Sequence, residues 1–181
     1  MKVVAVSLLW ICSLLVVTAS SHAQESTNEM PEKARQELDF MVGTWKSQFF
    51  VKDNQTGHSI HNRQWTKGKE CMLFTSSGES NGAPISATGI SGWNAAEKAI
   101  VEHWYLSGGG YIHIVYPLSK MTEHEWIGTS RVVYADGTMT EGPVKLVKGN
   151  DRWTFTSRWR VDGEELTTRN ETHKIEKDQG E

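Results

Sequence analysis

The tripeptide Gly43-Thr44-Trp45 constrains this chain most. It stands where a short helical stretch, Pro31 to Met41, hands over to a region that reads as strand to its end. Glycine permits a sharp change of direction that a Cβ would oppose. A large aromatic two residues later can then close the end of a barrel with one side chain. The expectation is an all-β, ten-stranded antiparallel up-and-down barrel with a short N-terminal helix. Gly43 and Trp45 are assigned to its base.

Turn signals set the strand count. They recur at Asp53-Asn54 through Gly57, Lys67-Gly68-Lys69, Asn81-Gly82, Trp93-Asn94, Gly108-Gly109-Gly110, Ser119-Lys120, Asp136-Gly137, Gly149-Asn150 and Asp162-Gly163. That spacing is typical of an all-β meander. Two segments show an inward face directly: Trp45, Phe49 and Val51, and later Trp153, Phe155, Trp159 and Val161, each alternating with polar residues. Short connections make consecutive strands pair as hairpins. A meander this long has edges to hide, which closure removes, and ten strands leave room for a cavity. In the N-terminal helix, Ala34, Leu38 and Met41 share one face, and Gly43 is read as the cap that ends it.

The first residues read as an export signal: Lys2, an apolar run from Val3 to Val17, then Ser21-His22-Ala23 with small residues at the cleavage position. The predicted organisation is a signal peptide over 1–23, a disordered polar linker over 24–30, one barrel domain over 31–175 and a polar tail over 176–181. Cleavage leaves no membrane span, and the location is secreted or periplasmic. With Lys2 removed, the remaining charge is mildly acidic and carries no basic block, which argues against nucleic acid. Of two cysteines only Cys71 survives cleavage, so no internal disulfide forms, and its apolar neighbours Met72 to Phe74 predict a buried thiol. Stability must come from the core. Asn54-Gln55-Thr56 and Asn170-Glu171-Thr172 are sequons, meaningful only in a eukaryotic host.

Gly78-Glu79-Ser80-Asn81-Gly82 has the nucleophile-elbow pattern, but no helical pattern follows it, so it reads as a hairpin loop. His58 and His61, three apart, fall on opposite faces of a strand. His103 and His113 flank the triple glycine. A three-residue loop there, pairing 105 with 113 and 103 with 115, gathers His103, Tyr105, Tyr111 and His113 on one face. It leaves Trp104, Leu106, Ile112, Ile114 and Tyr116 on the other. That register separates polar from apolar, so the histidines are expected toward water. Two histidines alone are too few for a closed zinc site, and no metal or cofactor is assigned.

A buried arginine can grip a carboxylate through its planar fork. Arg63 stands beside His61 and Trp65. Arg131 shares parity with Ile127, Thr129 and Val133, although Trp126, Ser130 and Val132 offer the alternative inner face. The ligand-binding candidates are therefore Arg63, Trp65, Trp104, Tyr116 and Arg131.

With its short helix running through Leu38-Asp39-Phe40-Met41-Val42 into Gly43-Thr44-Trp45, the chain resembles the calycin superfamily of lipocalins, fatty-acid-binding proteins and nitrobindins. It also resembles an uncharacterised family of exported bacterial proteins, with Gly92-Trp93-Asn94 as second signature. The lipocalin resemblance implies a late-strand basic residue over Trp45, for which Arg158 and Arg160 are the candidates. The nitrobindin resemblance implies an alternative as a haem-binding barrel, with His173 on the last strand. The chain departs from lipocalins in its ten strands and in lacking a C-terminal helix. The span Asp53 to Gly57 is too short for the helical lid of fatty-acid-binding proteins.

The expected function is an exported barrel that binds a small apolar or carboxylate-bearing molecule without catalysing a reaction. Two alternatives stand beside it. One is an isomerase, cyclase or hydrolase using His103, His113 and a tyrosine. The other is a partner-binding module with a packed lumen.

Overall fold

A computed structural model describes residues 29–161 and 163–175. The predicted signal peptide, most of the polar linker and the polar tail lie outside the described residues. Helix α1 (Glu32–Phe40) is followed by ten strands: β1 (Gly43–Val51), β2 (Asn54–Trp65), β3 (Cys71–Ser80), β4 (Ala83–Asn94), β5 (Ala99–Leu106), β6 (Tyr111–Pro117), β7 (Glu125–Val133), β8 (Met139–Gly149), β9 (Arg152–Val161) and β10 (Glu164–Lys174). Each strand pairs antiparallel with its neighbours in sequence, and β1 pairs with β10, so the sheet closes. The predicted ten-stranded up-and-down barrel is the fold, and closure removes every edge.

Local chemistry accounts for the turns. Asn81 and Gly82 both take left-handed φ, 50° and 76°, as a two-residue hairpin between Ser80 and Ala83 requires. The nucleophile-elbow pattern is therefore a hairpin running directly into a strand. At the triple glycine the predicted faces hold but the register does not. His103 pairs with His113 and Tyr105 with Tyr111, a slide of two residues from the predicted pairing. The loop keeps three residues but lies one position earlier, at 107–109: Leu106 N–H donates to the Gly110 carbonyl and Gly109 N–H to the Leu106 carbonyl. A slide of two preserves side-chain parity, so the polar and apolar faces survive it.

The helix ends at Phe40 with Met41 still αR, so Gly43 is not its cap. Gly43 is instead the first residue of β1, at φ 129°, a conformation that disfavours a side chain. The chain there turns α1 across one end of the barrel. Ala34, Leu38 and Met41 are fully buried against Trp45, Met72, Trp126 and Trp153. Trp45 Nε1 donates to the Met41 carbonyl at 2.8 Å, and its ring lies 4.2 Å from Trp153 and 5.7 Å from Phe40. The helix is also tied down by Glu37, nine-tenths buried, which accepts from Trp126 Nε1 at 2.9 Å and from Lys148 Nζ. A buried carboxylate needs such partners, because an unpaired one would shed its charge. One end of the cup is thus sealed.

Candidate ligand cavity

Above that plug the barrel holds a cavity of about 360 Å³. Its upper wall is mostly apolar, with Phe49, Phe50, Ile85, Leu106, Phe155 and Trp159, and is interrupted by Thr56, Ser80, Thr168 and Asn170. Period-two alternation turns one face of each strand inward, and the register shift between Phe49 and Phe50 lets these neighbours both line the wall. One close approach shapes it: a Cβ at Gly89 would run into the Phe74 ring and the His103 carbonyl. The glycine lets the Phe74 ring approach the β4 backbone closely, with its centroid 4.1 Å from that of Trp104.

The lower part is polar. Arg63 Nη1 donates to Glu102 Oε1 at 3.0 Å and points at Met41 Sδ at 3.7 Å. Glu102 Oε2 accepts from Trp104 Nε1 at 2.9 Å, so both carboxylate oxygens are occupied. The guanidinium is enclosed by the rings of Phe74, Trp104 and Trp153, at 4.8, 5.1 and 5.7 Å. These faces attract a cation and keep water off it. His61, edge-on to Trp104, shares a hydrogen bond between Nε2 and Ser59 Oγ at 2.8 Å. Burial, reinforced by the nearby Arg63 charge, lowers its pKa from 6.5 to about 3, so it is neutral at ordinary pH. Tyr116 is held protonated: burial and then Glu102 push its phenol well above the usual range, and Arg63 opposes them.

Three of the four buried side-chain atoms that lack a hydrogen-bond partner among the described residues, His61 Nδ1, Arg63 Nε and Ser130 Oγ, belong to residues lining this cavity. An unsatisfied buried polar group costs about 1–3 kcal/mol. Each such group in a native fold calls for an explanation, of which an ordered water or a bound molecule in the adjoining cavity is one.

The structure brings together three of the five predicted ligand residues: Arg63, Trp104 and Tyr116 all line the cavity. Trp65 does not. It is half-buried at the sealed end, where Nε1 donates to Asp39 Oδ1 at 2.6 Å and ties β2 to the helix. Arg131 lies on the outer surface, paired with Glu141 at 3.0 Å, because Trp126, Ser130 and Val132 take the inner face of β7. Arg158 and Arg160 are exposed, and flank the inward-facing Trp159 toward the open end. The basic residue over Trp45 is Lys174, with Nζ 5.4 Å from the ring. Closure explains it, since the β1–β10 pairing sets Trp45 directly opposite Lys174.

The histidines sort as parity predicts. His103 is exposed and stacks on the half-buried His113, outside the lumen. The enzyme alternative thereby loses its two named residues. His173 is also exposed, away from the cavity that a haem would need. Among the described residues no cluster of three or more His, Cys, Asp or Glu could hold a metal. Cys71 is half-buried rather than buried, its Sγ 3.8 Å from Thr66 Oγ1. Sequence reasoning missed Glu102, and it set His61 aside. The signal was there: Glu102 shares parity with Ile100, Trp104 and Leu106, a carboxylate on an otherwise apolar face.

No family model matches the chain, and no curated protein matches it. Among solved structures it is similar to EF1p2_mFAP2b bound to DFHBI, at 10% identity and TM-score 0.45, over 78% of this chain and 98% of that one. It is also similar to a redesigned beta barrel, at 15% identity and TM-score 0.43, over 77% and 95%. A third is a de novo designed fluorescence-activating beta barrel, at 13% identity and TM-score 0.43, over 76% and 96%. At these scores the likeness carries no argument, and the barrel rests on its own strand pairing. Among the described residues no helix is long and apolar enough to cross a membrane.

Proposed function

We propose that this chain is an exported barrel that holds a small, largely apolar molecule in its lumen and performs no chemistry on it. One observation carries the reading. The cavity combines apolar walls with a floor of buried polar atoms that have no partner in the protein. Pockets that bind small molecules have this character: mostly apolar surface, with a few convergent polar groups that orient the ligand. A nucleophilic role for the Ser59–His61 pair is disfavoured by geometry. Ser59 is fully buried and does not line the cavity. A histidine that protonates only near pH 3 is also a weak base.

Export rests on Lys2, the apolar run to Val17 and the Ser21-His22-Ala23 site. N-terminal sequencing of the protein from its own host should begin at Gln24. The intact chain in a membrane fraction would count against cleavage. Native mass spectrometry of that same material should reveal a co-purifying small molecule, and an environment-sensitive apolar dye should bind the emptied protein at one per chain. A lumen that takes up neither leaves the partner-binding module standing instead.

A further inference from the structure

Resting on that reading, we infer that the lumen selects apolar molecules ending in an uncharged oxygen, such as the carbonyl of an amide, ketone or ester, and rejects the matching carboxylates. The argument is a charge count at the floor. The charged and titratable residues lining the cavity are His61, Arg63, Glu102 and Tyr116, from β2, β5 and β6. Arg63 and Glu102 cancel, and the other two are neutral. A floor without net charge gives an anion nothing to neutralise.

Geometry sharpens the count. Glu102 holds Arg63 through Nη1 and balances its charge, so a carboxylate reaching the other guanidinium nitrogens would meet no net positive charge. The nitrogens that Glu102 does not hold, among them the buried and unpartnered Nε, are donors that a neutral carbonyl oxygen can accept from. His61 Nδ1 and Ser130 Oγ add further neutral hydrogen-bonding positions. A ligand carboxylate brought to Arg63 would stand beside Glu102 in a site enclosed by aromatic rings. Two carboxylates sharing such a site cannot both stay ionised easily, so one must take up a proton. A carbonyl fills the same position without that penalty. The device differs from an unpaired arginine gripping an anion: here Glu102 turns an arginine into a receptor for neutral oxygen.

The test uses three competitors with one tail, decanamide, decanoate and decane, displacing the apolar dye from the emptied mature protein at pH 7.5. Decanamide should bind roughly tenfold or more tighter than decanoate, the scale of a juxtaposed like charge, and tighter than decane. Glu102→Gln keeps an oxygen for Trp104 Nε1 but leaves Arg63 uncompensated. It should strengthen decanoate by roughly tenfold or more and so narrow or reverse the preference. Decanoate equal to or tighter than decanamide in the native protein overturns the inference, as does a ranking that Glu102→Gln fails to move. If that variant does not fold, the native protein decides. Decanoate should tighten as pH falls from 7.5 to 5 and its acid form accumulates, while decanamide stays level, His61 being neutral throughout. A level decanoate curve overturns the inference. Failure of the dye and all three competitors to bind would refute the ligand-binding reading itself, a result distinct from the wrong ranking of ligands that do bind.

Discussion

Two ion pairs in this barrel have the same length and opposite circumstances. Arg63–Glu102 and Arg131–Glu141 are both 3.0 Å apart. The first pair has side chains 3% and 4% exposed, the second 49% and 53%. Each has histidines near it: His61 inside, and His113 outside as the cross-strand partner of Arg131. Distance therefore teaches little here, and surroundings decide. Outside, water screens both charges and holds them nearly as well apart as together. Inside, neither member can lose its partner without leaving a bare charge among aromatic rings.

The largest expected effect breaks the inner pair. Arg63→Met leaves Glu102 buried and uncompensated, which should cost about 3–5 kcal/mol in denaturant unfolding. Arg131→Ala should cost about 0–1 kcal/mol by the same measurement. The double change Arg63→Met with Glu102→Leu should recover much of the inner loss, because an apolar replacement of both partners removes the stranded charge. Equal costs for the two arginines would erase the contrast. Arg131→Ala should also leave lumen ligands unaffected, the reverse of what an inward Arg131 would give.

That contrast marks where the sequence was readable. Turn chemistry and parity located all ten strands, and the inward residues of β5 and β6 followed even though the predicted register was off by two. Parity is robust because it survives a slide of two. Partners across the barrel were not readable. Arg63 and Glu102 are thirty-nine positions apart on strands that are not neighbours. Nothing local couples them, so a lone arginine suggested a carboxylate ligand, whereas its carboxylate lies within the chain. Arg131 was misplaced for the opposite reason. Its strand offers two faces of similar polarity, and only the packing of Trp126 under α1, against Glu37, settles which is inner. Lys174 over Trp45 depended on barrel closure, which the meander implied, and on a register that it did not.

A pH series sharpens the inner half of the comparison. In the folded protein His61 stays neutral down to about pH 3, whereas in the unfolded chain it takes up a proton near 6.5. Between those values the unfolded state binds more protons, so stability must fall as pH falls through that window. Each pH unit is worth about 1.4 kcal/mol, hence roughly 3 kcal/mol lost between pH 6.5 and 4 from this residue. Carboxylates titrate there too, so the informative quantity is the difference between the native protein and His61→Asn. The native curve should be the steeper by about that amount. Parallel curves would mean that His61 is hydrated in solution and its lumen open to bulk water.

The smallest effect lies outside. His113 has its pKa lowered first by partial burial, then by His103 stacked at 4.5 Å and 3°, with Glu97 opposing and Arg131 lowering it slightly further. His103→Gln removes one of those causes and keeps the largest. In a nuclear magnetic resonance titration the His113 midpoint should rise but stay below the ordinary 6.5, because burial persists. Dye displacement from the lumen should not change, since the two rings stand on the far side of the barrel wall from the cavity. A midpoint that does not move would show that the stack is absent in solution. A changed ligand affinity would mean that the wall transmits charge, and that inner and outer clusters are one system rather than two.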